Sequence, residues 1–164
     1  MIILGIDPGL ATMGYGVIEA QGGNQRLLQY GAVTTSPKQS MPLRLQAIYR
    51  GVKGLMEIWR PDEVAFEELF FSKNITTGMA VSAARGAALI ACVEYTDALY
   101  EYTPMQIKQA VTGYGAADKH KMQHMVKLLL RMDDIPRPDD AADAVAAALT
   151  HASSQHAKEL FRIK

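Results

Sequence analysis

The sequence predicts a mixed α/β sheet with helices on both faces, and three observations carry that reading. Five of the first six residues, in MIILGI, are large and apolar, the mark of a strand buried on both faces. Two more strand-like segments follow directly, joined by links so short that they must pair antiparallel. Past residue 40, helical periodicity alternates with short apolar runs, the pattern of strand–helix units.

The first strand ends on Asp7, where Pro8 and Gly9 turn the chain. TMGYGVIEA alternates as a second strand, QGGN is a turn signal, and RLLQYGAVTT reads as a third strand. SPKQSMP is a loop. Leu45, Ile48, Val52, Leu55 and Trp59 then recur at three- and four-residue steps, an amphipathic helix closed by Pro61. EVAFEELFF is a short buried strand that carries acid at Glu67 and Glu68. SKNITTG leads as a loop into a helix, MAVSAARGAALIACVEYT, with one face of Ala, Gly and Ser. LYEYT supplies a last strand, and Thr103-Pro104 starts a short helix through Lys108. After the glycine-bearing loop TGYGAAD, Asp118 opens a helix with Met122, Met125, Val126 and Leu129 as its apolar stripe. A final helix begins near Asp139, which reads as the N-cap, and turns Ala142, Val145, Ala146 and Leu149 inward. Residues 1–154 read as one domain and 155–164 as a polar C-terminal tail.

Composition narrows the class without choosing a partner. A chain of 164 residues, 49% hydrophobic and 21% charged, can bury a core without disulfides or a structural metal. Lys+Arg and Asp+Glu both total 17, so a nucleic-acid role has to rest on how charge is distributed. The single cysteine, Cys92, lies among small apolar residues and reads as core in a reducing compartment. The opening lacks a basic n-region and no stretch is long enough to span a bilayer, so the expected setting is cytoplasmic, without a membrane.

Acid at the edges of this apolar core is the feature that points to chemistry. Asp7 ends the first strand, Glu67 or Glu68 ends a later one, and Asp140 and Asp143 lie three apart in the first turn of the last helix, on one face. Each has an ordinary explanation alone: strand-end Asp in turns, first-turn acids against the helix dipole. Together they do not. If the first and fourth strands are parallel neighbours, Asp7 and the later acid converge on Asp140 and Asp143. Such a cluster repels itself unless divalent cations bind; all-oxygen ligands suit Mg²⁺ or Mn²⁺, and two such ions clamp a phosphodiester displacement. Strand alternation does not choose between Glu67 and Glu68. Lys108, Lys119, Lys121, Lys127 and Arg131 fall in a segment whose only acid is Asp118, a local basic excess suited to phosphates. Of Phe70 and Phe71, one exposed ring could stack on an unpaired base, as could Tyr114. His120 and His124 read as exposed, and His151 lies two turns past Asp143 on roughly the same side, within reach of the site's edge.

Five ordered blocks carry a resemblance: GIDPGLATMGYGVI, AFEELFFSKN, SAARGAALIA, QIKQAVTGYGAADKHKMQHMV and DDAADAVAAALTH. In that order and spacing they resemble the RuvC-type Holliday-junction resolvases over nearly the whole chain. The resemblance implies a ribonuclease H-like fold with a five-stranded mixed sheet flanked by helices. It implies metal-dependent, symmetric hydrolysis of four-way DNA junctions in recombination and repair. Asp7, Glu67, Asp140 and Asp143 match the metal-binding catalytic acids. Glu67 is selected over Glu68 because the family's acid is followed by a polar residue, two bulky ones and a Lys-Asn pair, here Lys73-Asn74. Lys108 and Lys119 match basic residues near the active site, with Lys119 placed to stabilise phosphate charge. Phe70 matches the aromatic that stacks at the junction, and Lys73 joins the expected DNA contacts. Also implied are two Mg²⁺ per site with Mn²⁺ as substitute, a homodimer, and a branch-migration motor as partner. Rival readings are a nuclease of the same fold acting on RNA–DNA hybrids, an actin-like ATPase fragment, and a non-enzymatic DNA-binding module. The ATPase would need a second phosphate loop and a second domain, and the binding module would not need four acids facing one point.

Overall fold

The computed structural model describes residues 1–69 and 75–164. One five-stranded sheet, in the order β3-β2-β1-β4-β5, forms its centre. β1 (Ile2–Asp7), β2 (Thr12–Gln21) and β3 (Asn24–Thr34) make the antiparallel meander that the short links predict. β4 (Glu63–Glu67) pairs parallel with β1, and β5 (Leu99–Tyr102) parallel with β4, which makes the sheet mixed. Helices α1 (Met41–Trp59) and α2 (Ile75–Val93) cover one face, while α3 (Pro104–Thr112), α4 (Lys119–Leu129) and α5 (Asp139–Ser153) cover the other.

Strand alternation divides the core in two. Leu4, Ile6, Val64 and Phe66 point toward α1 and α2, where Ile48, Val52, Ala84 and Ala88 meet them. Ile3, Ala65, Tyr100 and Tyr102 point toward α5, where Val145, Ala146 and Leu149 meet them. By the same two-residue period, Asp7 and Glu67 belong to the α5 side. Sandwiched between the sheet and helices α3 and α4, α5 is buried at every position from Ala144 to His151. Cys92 lies fully buried in the α1–α2 core, and burial pushes its thiol up to about 12.

Local signals account for most boundaries. Thr103 and Gln106 form a reciprocal capping box at the start of α3. That helix continues past the predicted Lys108 to Thr112 and stops where Gly113 takes the left-handed conformation at φ 74°. Asp118 caps α4 by accepting from the Lys121 amide. In α4 the stripe differs from the predicted one: Leu129 is exposed and Leu130 is buried, because the helix ends at Leu129 and the chain turns inward. The N-cap of α5 is Pro138, not Asp139. Asp139 is the first helical residue, and its carboxylate pairs with Arg137 and, at 3.5 Å, with Lys119. β4 ends at Glu67, short of the predicted Phe71, and α2 begins at Ile75, ahead of the predicted Met79.

The C-terminal residues, read from their polarity as a tail, lie against the body of the domain. A 3₁₀ turn spans Lys158–Phe161, Arg162 bridges to Tyr100, and the Ile163 amide donates to the Leu99 carbonyl at 2.9 Å. Phe161 and Ile163 pack on opposite core clusters, so two apolar side chains anchor a mostly polar segment. Among the described residues no helix is long and apolar enough to cross a membrane.

Candidate active site

Parallel pairing of β1 and β4 places Ile6 beside Phe66, so Asp7 and Glu67 follow side by side at the same end of the sheet. Both point to the α5 face. Glu68 lies beyond the strand and lines a pocket with Ser82 and Arg85 of α2, on the opposite side. The pairing therefore sets Glu67, and not Glu68, beside Asp7.

Helix α5 brings the remaining acids to the same edge. Asp7 is the cross-strand partner of Gly14, and a β-carbon on Gly14 would lie 1.9 Å from the Asp140 carbonyl oxygen. A β-carbon on Gly5 would lie 2.0 Å from the carbonyl of Ala144. Only glycine admits helix backbone against strand backbone at that range. With alanines lining its own surface, α5 lies directly on β1 and β2, and its N-terminal end holds Asp140 and Asp143 near Asp7.

The electrostatics show how closely the four interact. Burial, then the charges of Glu67, Asp143 and Asp140, push the Asp7 carboxyl from its ordinary 3.8 up to about 8, with Lys119 opposing them. Burial and the Asp143 charge raise Glu67 to about 7, against Lys119 and Lys108. Burial also raises Asp143, although Lys119 donates to it at 3.0 Å. As they stand, no three acids close around a single point among the described residues. The donor set is nonetheless all carboxylate oxygen, half-buried and short of positive charge, which is the chemistry that suits a hard divalent cation.

The other predicted residues divide by position. Lys108, half-buried on α3, acts on Glu67, and Lys119 bridges Asp143 and Asp139. Lys121 is exposed and holds its ammonium 5.9 Å from the ring centre of Tyr114, itself exposed. Lys127 sits about 12 Å along α4 from Lys119, and Arg131 just beyond that helix, so neither belongs to the acid cluster. Phe70, Phe71 and Lys73 lie outside the described residues. His120 and His124 are exposed as predicted, their rings 4.2 Å apart. His151 does not approach the acids. It is fully buried, with Nε2 2.7 Å from Glu63 and Nδ1 2.7 Å from the Tyr102 hydroxyl. Sequence reasoning missed this pairing and the glycine cradle. Glycines two apart in MGYGV, facing a helix of alanines, were the available signal for the cradle.

Comparison with known proteins agrees with this architecture. Residues 3–151 match the family model described as crossover junction endodeoxyribonuclease RuvC. The protein of that name from Alkaliphilus metalliredigens is 50% identical over 164 residues, covering 100% of both chains. The Thermus thermophilus RuvC structure superposes with a TM-score of 0.88 at 39% identity, covering 95% of this chain and 96% of that one. The structure of T. thermophilus RuvC in complex with Holliday junction substrate gives a TM-score of 0.87 at 37% identity, with the same coverage. A full-length match at this identity, on a fold that gathers four acids at one sheet edge, leaves one assignment: the chain belongs to the RuvC family of crossover junction endodeoxyribonucleases.

Proposed function

We propose that this protein resolves four-way DNA junctions by metal-dependent hydrolysis at Asp7, Glu67, Asp140 and Asp143. The observation that carries the reading is the mutual electrostatic pressure of these acids: Asp7 is held near 8 by burial and by the other three. Without a countercharge, that arrangement only costs stability. The acids would hold two Mg²⁺, or Mn²⁺ in their place, which when bound lower the pKa of a water and neutralise phosphate charge. Asp7, whose carboxyl feels the charges of all three other acids, would be the central ligand of the set. Glu67 and Asp143 flank it, and Asp140 adds the fourth carboxylate from the helix side. Lys119 holds Asp143 through a direct hydrogen bond and would exchange that contact for a phosphate oxygen of the bound strand. Lys108, beside Glu67, offers a second cation on the same approach. Phe70 and Lys73 complete the proposed DNA contacts, together with Lys121, Lys127 and Arg131.

A four-way junction has two-fold symmetry and needs two matched incisions, which a two-fold dimer supplies. Met79, Ile90 and Val93 fall on one outward stripe of α2 and are 70%, 59% and 54% exposed. An apolar stripe on a helix otherwise faced with small residues supports a homodimer through α2. A branch-migration motor is the proposed partner that delivers the junction. Cytoplasmic residence is proposed with it, since the DNA substrate lies there.

The test uses an end-labelled mobile four-way junction and a matched linear duplex, each with Mg²⁺, with EDTA, and with Asp7→Asn. Paired symmetric nicks in the junction alone, lost with EDTA and with the substitution while binding persists, are expected. Binding without incision in any divalent metal would leave a junction-binding module. Preferential cleavage of an RNA–DNA hybrid would keep the metal site and overturn the substrate.

A further inference from the structure

The two ends of α5 are held in different ways. At its start, Asp140 and Asp143 press against Asp7 and Glu67 with like charge, and the glycine cradle beneath offers backbone contact but no directional tie. At its other end, about 16 Å along the helix from Asp140, His151 reaches Glu63 at the start of β4 and Tyr102 at the end of β5. Among the described residues, these two bonds are the only side-chain hydrogen bonds from α5 to the sheet.

We propose that the Glu63–His151–Tyr102 clamp is a positioning device for the acid site, setting where along the sheet α5 presents Asp140 and Asp143. β4 runs from Glu63 to Glu67 while α5 runs the opposite way, so one strand and one helix share both the clamp and the catalytic edge. Slippage of α5 along its axis would therefore move Asp140 and Asp143 relative to Glu67. The protons are assigned by the partners: Glu63 as a carboxylate only accepts, so His151 donates from Nε2 and accepts at Nδ1 from the Tyr102 hydroxyl. Gln155 at 3.0 Å and Lys158 also donate to Glu63, which ties the C-terminal segment into the clamp. The Tyr100 ring, 4.4 Å from the imidazole centre, fixes the plane of His151.

The proposal rests on the reading of the four acids as the cleavage site, and its test separates the two. Full-length Tyr102→Phe and His151→Ala are compared with wild type, and His151→Gln serves as the variant that can restore the bond to Glu63. Amide exchange at residues 142–148 is measured on protein without DNA, alongside junction binding in EDTA and single-turnover cleavage over a Mg²⁺ titration. Exchange at 142–148 is expected to quicken more than in α1. Cleavage should slow by about tenfold to a hundredfold, the loss that a misplacement near 1 Å brings, with binding within about twofold. His151→Gln should recover part of both. A folded Tyr102→Phe protein with wild-type exchange and wild-type cleavage would overturn the clamp, and it decides the matter even if His151→Ala does not fold. If wild type cuts no junction, the cleavage reading fails, while the exchange data still judge the clamp.

Discussion

Glu63 and Glu67 bound the same short strand, four residues apart and on the same face, yet the protein treats them in opposite ways. Burial alone would raise Glu63, but hydrogen bonds from Lys158, Gln155 and His151 outweigh it and hold the carboxyl below its ordinary value. Glu67 meets burial and the charge of Asp143, with Lys119 and Lys108 acting only at a distance, and is pushed up to about 7. A buried carboxylate with a full set of donors is a structural tie. One left among like charges at an open edge is poised to take up a cation. The contrast separates a carboxylate tied by donors from one left among like charges within a single strand.

The comparison can be broken most directly by cleavage. Glu67→Gln should reduce junction incision on the order of a thousandfold with binding retained, since it removes a charge that the proposed cations would need. Glu63→Gln keeps an acceptor for the clamp and should slow incision by no more than about a hundredfold. Equal losses in single-turnover assays would erase the distinction.

Stability gives the next largest effects, and they carry opposite signs. Glu63→Ala strands Lys158 and buried His151, and should cost about 3 kcal/mol in urea denaturation at pH 7. Asp7→Asn should instead stabilise the protein in EDTA at pH 8, by on the order of 2 kcal/mol. The Asp7 carboxyl titrates near 8 when folded and near 3.8 otherwise, so between those values the folded chain carries the extra proton. Raising pH through that window therefore destabilises wild type through Asp7, and the variant escapes it. Glu63 works the other way: its lowered pKa stabilises the fold above its ordinary 4.5 and is lost as pH falls. Saturating Mg²⁺ should remove the advantage of Asp7→Asn, because bound cation holds the native carboxylates ionised. Melting curves at about pH 4, 6 and 8, with and without metal, check all three statements.

The smallest effects sharpen the outer boundary of the site. Lys127→Ala and Arg131→Ala, away from the acids, should each weaken junction binding by less than about 1 kcal/mol and reduce the slope of log affinity against log salt by about one. Catalysis at saturating protein should not change. Lys119→Ala, by contrast, should lower the rate at saturation as well.

Much of this was legible in the chain because its signals are local. Strand β1 is apolar throughout and ends on Asp7, and the two turns after it leave no choice but a meander. The helix starts at Thr103-Pro104 and Asp118 declare themselves through capping chemistry. Asp140 and Asp143 share a face at any helical spacing. Less legible were features that depend on what lies opposite. His151 falls on the same rough side of α5 as Asp143, yet it pairs with Glu63, a partner 88 residues away in sequence. The C-terminal segment reads as a polar tail, but Phe161 and Ile163 find apolar surface that no local pattern reveals. Leu129 and Leu130 exchange roles because a helix end changes which direction is inward.

The sequence by itself determined the elements and their order, since periodicity, capping and composition act over a few residues. Only the tertiary structure decided what each carboxylate meets: Glu67 lies beside Asp7 on the α5 side, while Glu68 lines the opposite side with Ser82 and Arg85, because strand pairing and helix packing fix the surroundings of each face. Only the tertiary structure, too, turned an apparently idle histidine into the tie at the far end of α5. Burial and partnership are properties of the packed whole, and the same carboxylate becomes a tie or a ligand according to what surrounds it.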